Sequence, residues 1–164
     1  MGSIALGLGS NIGARVTWCR TAINELTKHP EIQIVKRSAW YETQPIGDIN
    51  QPDFVNGAVL LETNLSPIYL LKTLKDLEQL LGRSTTWNHG PREIDLDLLL
   101  YDDLVLDLPE LIIPHPAMAD RAFVLVPLVE IQPQLVHPTY GRTVSELLED
   151  LKPVDQLVQY YSAT

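Results

Sequence analysis

Apolar positions along the chain fall into two rhythms, one near 3.6 and one of two, and their succession predicts the order of elements. Residues 4–8 form a short apolar run, a buried strand that turn residues Gly9, Ser10 and Asn11 bring to an end. From Arg15 to Lys28 the spacing of Val16, Cys19, Ile23 and Leu26 makes one helical stripe, and Pro30 marks its end. Residues 32–41 read as a strand and 54–62 as the next, with a polar loop over 42–53 punctuated by Pro45, Gly47 and Pro52. That loop is long for a connection between two strands, and long loops often carry function. Ser66-Pro67 is a strong helix start; Leu70, Leu74, Leu77 and Leu81 line one face and Gly82 ends it. After an irregular segment, 84–89, a strand begins at Ile94.

Further on, Asp102-Asp103 suggests a turn and residues 104–106 a short added strand. Residues 111–116 read as a rigid extended run around Pro114 and Pro116, and 117–131 as helical stretches interrupted around Pro127. A helix near 143–151 and a strand near 156–161 complete the chain. Strand, helix, strand, strand, helix, strand is the order of a ferredoxin-like βαββαβ core. The expected class is therefore α+β, a mainly antiparallel sheet with helices packed on it and extra C-terminal elements. No repeat or linker divides the chain, so residues 1–164 are expected to form one domain.

Composition narrows the function. An apolar fraction of 45% and a charged fraction of 20% suit a soluble globular protein. No apolar run reaches membrane-spanning length, the start lacks a basic signal lead, and the single cysteine, Cys19, suits a reducing compartment. A cytoplasmic protein without membrane attachment is expected. Leu6 stands where a myristoylation start would need Ser or Thr. A net charge of −9 argues against a nucleic-acid binder, and it requires local arginines and cations around any polyanionic substrate. The glycines at 7, 9 and 13 have the wrong spacing for a dinucleotide fingerprint, and no P-loop motif occurs. They read as a tight turn that also lets a flat ligand approach.

Candidate chemistry gathers around the strand that starts at Ile94. Alternation places Ile94, Leu96, Leu98 and Leu100 on one face, with Asp95, Asp97, Leu99 and Tyr101 on the other. Two carboxylates aimed at one space repel each other unless cations balance them, and an all-oxygen pair suits Mg²⁺ with phosphate ligands. Taken alone, the pair fits an amphipathic strand facing water equally well. Arg83, Arg92 and Arg121 can hold phosphates, His115 can donate to a phosphate oxygen, and Phe54, Trp87 and Phe123 accompany them. Asn56, an amide inside an apolar strand, needs partners, either neighbouring backbone or a ligand edge.

On these residues the chain resembles the 6-hydroxymethyl-7,8-dihydropterin pyrophosphokinase family. The likeness rests on Leu8-Gly9-Ser10-Asn11, Tyr41-Glu42-Thr43-Gln44-Pro45-Ile46-Gly47 and Gln51-Pro52-Asp53-Phe54-Val55-Asn56. It continues through Leu77-Glu78, Gly82-Arg83, Gly90-Pro91-Arg92-Glu93-Ile94-Asp95-Leu96-Asp97, Ile113-Pro114-His115 and Arg121-Ala122-Phe123-Val124-Leu125. The resemblance implies transfer of pyrophosphate from ATP to the pterin hydroxyl in folate biosynthesis, with AMP leaving. It implies that Asp95 and Asp97 bind two Mg²⁺ ions bridging the ATP phosphates, while Arg83 and Arg92 neutralise charge. Glu78, Arg92, His115, Arg121 and the backbone near Leu98 would contact ATP. The pterin would stack between Phe54 and Phe123, with Thr43, Pro45, Ile46 and Asn56 reading or lining its edge.

Several positions depart from the family's pattern. Asn88 and His89 precede Gly-Pro-Arg where Arg and Trp are familiar, with Trp87 two positions earlier as a substitute. Ser84 replaces a basic residue, Pro116 a tyrosine and Lys75 an uncharged amide, which touches loop closure and adenosine contacts. Partners are expected to be the two small substrates, with the protein a monomer open to association with other folate enzymes. Two rival readings are a nucleotide-sensing module without catalysis and a subunit-interaction domain whose acidic strand is plain surface.

Overall fold

The structure is a computed structural model that describes residues 4–45, 50–82, 93–152 and 158–161. A single sheet organises it, built from β1 (Ile4–Ser10), β2 (Ile32–Arg37), β3 (Trp40–Thr43), β4 (Phe54–Thr63), β5 (Asp95–Tyr101) and β10 (Val158–Tyr161). The order is β10-β3-β4-β1-β5, with β2 also paired to β4, and every pairing is antiparallel. Strands β1 and β2 run parallel with β4 between them, which is the split βαβ arrangement expected.

Helix α1 (Arg15–Lys28) has the predicted bounds, and it buries Cys19, Ala22, Ile23 and Leu26. Helix α2 (Pro67–Leu80) starts where Ser66 Oγ accepts a hydrogen bond from the Tyr69 N–H, ahead of Pro67. It stops before Gly82, whose φ of +83° is left-handed backbone that glycine adopts at little cost. Both helices pack on one face of the sheet, against Ile4, Leu6, Leu8, Val55, Val59, Ile94, Leu96 and Leu98. Helix α3 (Ala122–Ile131) and helix α4 (Val144–Asp150) cover the other face, with Ala5, Ala58, Leu60, Leu99 and Leu100 beneath them. At roughly 1.5–3 kcal/mol per buried aliphatic side chain, these two layers supply most of the driving force.

Three expectations are corrected. The strand over 32–41 is broken at Ser38, whose N–H donates to Ala58 O and whose Oγ accepts from the Ala58 N–H. A register shift between Ile34 and Lys36 accompanies the break. Next, β5 does not alternate to its end: Ala5 pairs with Leu100 but Leu6 with Leu98, so Leu99 is an extra residue. Leu100 therefore joins Leu99 on the α3 face, and Tyr101 returns to the α1–α2 face. The Asp95, Leu96, Asp97, Leu98 alternation precedes the bulge and survives. Finally, α3 runs through Pro127 without interruption. The break falls instead at extended Arg121 (φ −119°, ψ 107°), between α3 and a 3-10 turn over Met118–Asp120. Burial of Val124, Leu125, Leu128 and Ile131 outweighs the roughly 3 kcal/mol that an internal proline costs.

The remaining strands are two-residue pairs, β6 (Leu106–Asp107) with β7 (Ile112–Ile113) and β8 (Val136–His137) with β9 (Arg142–Thr143). The second pair was not predicted. Its signal is only Gly141 with φ +62° and a His137–Tyr140 ring stack at 4.3 Å, neither of which shows as a periodic pattern.

Candidate active site

Strand register, more than proximity in the chain, assembles the site. On the α3 face, Asn56 of β4 pairs with Gly9 of β1, and Gly9 pairs with Asp95 of β5. One step along, Ala58 pairs with Gly7 and Gly7 with Asp97. One step the other way, Thr43 of β3 pairs with Phe54. Residues directly opposite in antiparallel strands share a face, so Thr43, Phe54, Asn56, Asp95 and Asp97 line one continuous strip. Glycines occupy its middle, leaving a floor without side chains between the amide and the carboxylates.

The floor is shaped by a close approach. A Cβ on Gly9 would lie 2.6 Å from Asn56 Oδ1, so only glycine lets that side chain stand where it does. The Asn56 amide nitrogen donates to Thr43 Oγ1, and both residues are buried. Phe54 is 9% exposed. Phe123 is partly buried at the start of α3, with the Arg121 guanidinium 5.6 Å from its ring centroid.

Asp95 and Asp97 are both partly buried, and Asp97 is held well above the usual carboxylate range. Burial is the main cause; the Asp95 charge and then Glu78 add to it, while Lys75 and Arg121 work against it. Asp97 thus lies among two other acids and two bases. His115 is pushed the opposite way, below the ordinary imidazole value, by burial, with the Arg121 and Lys75 charges adding and Asp95 opposing. The His115 backbone N–H donates to Leu99 O at 2.9 Å, which ties the 111–116 segment to β5. Its Nδ1 accepts from the Ala117 N–H at 3.3 Å, so in the neutral ring Nε2 carries the proton. The start of α3 therefore brings Phe123 and the preceding Arg121, and the segment ahead of the 3-10 turn brings His115, to the same end of the sheet.

Glu78 reaches this end from the other face. It is 1% exposed, its Oε2 accepts from the Leu96 N–H at 2.7 Å, and its Oε1 lies 3.2 Å from Lys75 Nζ. Among the described residues β5 is the sheet's edge and that N–H has no strand partner, and a buried carboxylate caps it between the two aspartates. Leu98 lies in the apolar core of the α1–α2 face, and only its backbone is available to a ligand.

Of the other sequence-derived candidates, Pro45 is partly buried at the end of the described 4–45 segment. Ile46, Arg83, Trp87, His89 and Arg92 lie outside the described residues. Among the described residues, no group of three or more His, Cys, Asp or Glu side chains is gathered as a metal cage. The donor set is a pair of neighbouring carboxylates whose mutual repulsion helps to raise the Asp97 pKa, and such a pair fits a Mg²⁺ ion whose other ligands come from phosphate and water. A cavity of about 380 Å³ between Ile4, Ile32, Glu62, Tyr101 and Asp102 lies at the opposite end of the sheet and shares none of these residues.

Two features escape a reading of the sequence. Asn11 donates to Gln51 Oε1 at 2.7 Å and to Pro52 O at 2.9 Å, tying the end of β1 to the far end of the 42–53 loop. Arg15 contacts both ends of the same loop. Every one of these partners lies more than 25 positions away along the chain, so no local pattern announces them.

A family model described as 7,8-dihydro-6-hydroxymethylpterin-pyrophosphokinase matches residues 5–133. A 2-amino-4-hydroxy-6-hydroxymethyldihydropteridine pyrophosphokinase from Methylorubrum extorquens is 45% identical over 148 residues, covering 90% of this chain and 92% of its own. The protein of the same name from Synechocystis sp. is 44% identical over 146 residues, 89% of this chain and 74% of its own. Among solved structures, wild-type Plasmodium falciparum HPPK-DHPS with pteroate superposes with a TM-score of 0.72 at 15% identity, over 93% of this chain. This chain spans only 43% of that one, and the likeness is one of fold.

Proposed function

Because the chain belongs to the 7,8-dihydro-6-hydroxymethylpterin-pyrophosphokinase family, we propose that it transfers pyrophosphate from ATP to the hydroxyl of 6-hydroxymethyl-7,8-dihydropterin. AMP and the dihydropterin diphosphate are the products, and residues 1–164 act as one pyrophosphokinase domain. The observation that carries this reading is the strip Thr43, Phe54, Asn56, Asp95 and Asp97. It sets a buried amide and an aromatic ring beside a carboxylate pair, on one face and across a glycine floor.

The residues divide the work. Phe54 and Phe123 offer ring faces to a flat heterocycle, and Pro45 and Ile46 line its rim. Asn56, its amide nitrogen committed to Thr43, keeps its carbonyl oxygen for a donor on the pterin edge. Asp95 and Asp97 would hold two Mg²⁺ ions, which supply charge neutralisation and alignment of the triphosphate. Arg121 brings positive charge to the same space. Neutral His115 offers its Nε2–H to a phosphate oxygen. Arg83 and Arg92 neutralise the charge that develops as the hydroxyl attacks the β-phosphorus. Glu78 holds the β5 edge in register, and its contact with ATP would run through Lys75 or the Leu98 backbone. Catalysis of this kind is mainly positioning and electrostatics, and no nucleophilic side chain is required.

Among the described residues no helix is long and apolar enough to cross a membrane, and both substrates are small molecules. The deciding experiment incubates the protein with ATP, the pterin alcohol and Mg²⁺, with an EDTA control, and separates the nucleotides. AMP with a pterin diphosphate, lost in EDTA, is expected. ADP with a pterin monophosphate refutes the transfer chemistry, and equal rates in EDTA refute the metal requirement.

A further inference from the structure

One arrangement of side chains lies outside the residues given a role in pyrophosphate transfer. Arg15, the first residue of α1, places its guanidinium against three separate segments. Its Nη1 donates to Asp53 O at 2.9 Å, and its Nη2 lies 2.8 Å from Glu42 Oε2. Its Cζ sits 5.4 Å from the Tyr161 ring centroid on the C-terminal strand. The Arg15 side chain is 22% exposed, so these partners occupy most of what it can reach.

The placement has a consequence. Glu42 immediately precedes Thr43, Asp53 immediately precedes Phe54, and Thr43 and Phe54 are register partners. Glu42 pairs with Val55, whose side chain faces α1 and α2. Arg15 therefore grips β3 and β4 from the face opposite the site, one residue from each of two proposed pterin contacts. β10 continues the grip, since Val158 pairs with Thr43 and Tyr161, under the guanidinium, pairs with Trp40. One planar, always charged group thereby fixes the separation of two strand ends at the mouth of a long loop.

We propose that Arg15 is a positioning residue for the pterin: it sets the spacing of Thr43 and Phe54 from behind the sheet and touches neither substrate. The proposal rests on the pterin reading given above. Its signature is selectivity, because Asp95, Asp97 and Arg121, the described groups proposed to face the triphosphate, stand on β5 and at the start of α3, and none of the Arg15 contacts above reaches them.

The test uses the full chain. Arg15→Ala is expected to raise KM for the pterin alcohol about five-fold, the scale of losing a partly exposed charged network, with KM for ATP and kcat changed less than about two-fold. Glu42→Gln, which keeps an acceptor, gives a smaller rise in the same constant alone, and Arg15→Lys recovers part of it. Lys28→Ala, which breaks the Lys28–Glu25 pair at the other end of α1, leaves both KM values unchanged. Pterin affinity is also followed by fluorescence titration without turnover. An unchanged pterin KM in Arg15→Ala, or equal rises for both substrates, overturns the proposal. If the wild type itself binds no pterin, the proposed function falls and this inference with it.

Discussion

Replacing Asp97 by asparagine separates the stability of the unliganded fold from its use. Folding pushes the Asp97 carboxyl from 3.8 up to about 7, mainly through burial and then through the Asp95 charge. An acid with a raised pKa holds its proton more tightly when folded, so the folded state loses stability as pH rises from the unfolded value to the folded one. Above about pH 7 that loss is complete. At 1.36 kcal/mol for each tenfold gain in proton affinity, that rise sets a ceiling of about 4 kcal/mol. The share due to Asp95 belongs to the pair, and the partly exposed carboxylate relaxes towards water. Asp97→Asn should therefore stabilise the metal-free protein by about 2 kcal/mol near pH 8, a Tm rise of roughly 4–8 °C for a chain of this size. Melting curves in EDTA between pH 4 and pH 9 measure it, and the gap should close near pH 4, where both forms are neutral. Adding Mg²⁺ and ATP should raise the wild-type Tm, leave the variant's unmoved, and give turnover only in the wild type. A variant that melts at or below the wild type near pH 8, or a gap that persists at pH 4, refutes the electrostatic account.

Three further outcomes are expected. Gly9→Ala puts a Cβ 2.6 Å from Asn56 Oδ1, so the amide must leave Thr43. A loss of about 1–3 kcal/mol by denaturant titration should accompany at least ten-fold weaker pterin binding by calorimetry, and intact binding would remove Asn56 from the site. Glu78→Leu leaves the Leu96 N–H and Lys75 without their shared partner and should cost about 1–3 kcal/mol, whereas Glu78→Gln keeps the acceptor and should cost less than half as much. Equal stability of the two would show that the edge cap does nothing. Thr143→Ala breaks the Thr143–Glu146 capping box of α4 and should lower stability by about 1 kcal/mol while both KM values stay fixed, since α4 lies away from the strip.

Whatever is local in this fold can be read from the chain. The stripe of α1, the Ser66-Pro67 start of α2 and the alternation from Asp95 to Leu98 each depend on a few consecutive residues, and all appear where the pattern places them. Where a partner strand decides the outcome, the pattern misleads. Ser38 breaks its strand because Ala58 offers it two hydrogen bonds, and Leu99 bulges because β1 pairs past it. The bulge redirects Leu100 into the α3 face, where period-two counting from Ile94 would not put it. The site shows the same division. That Asp95 and Asp97 share a face is a fact about one strand, but that Asn56 stands level with Asp95 requires the register of three. The net charge of −9 poses the sharpest version of the problem, since an acidic chain is a poor attractor of a triphosphate. The fold meets it by concentration: Arg121 arrives from the residue before α3 and Lys75 from α2, on opposite faces, yet both act on the single carboxylate Asp97. An edge strand is the one place in a sheet where groups from both faces can meet without crossing its core. On β1 or β4 the sheet would stand between Asp97 and one of these two described cations, which is the reason β5 suits the pair.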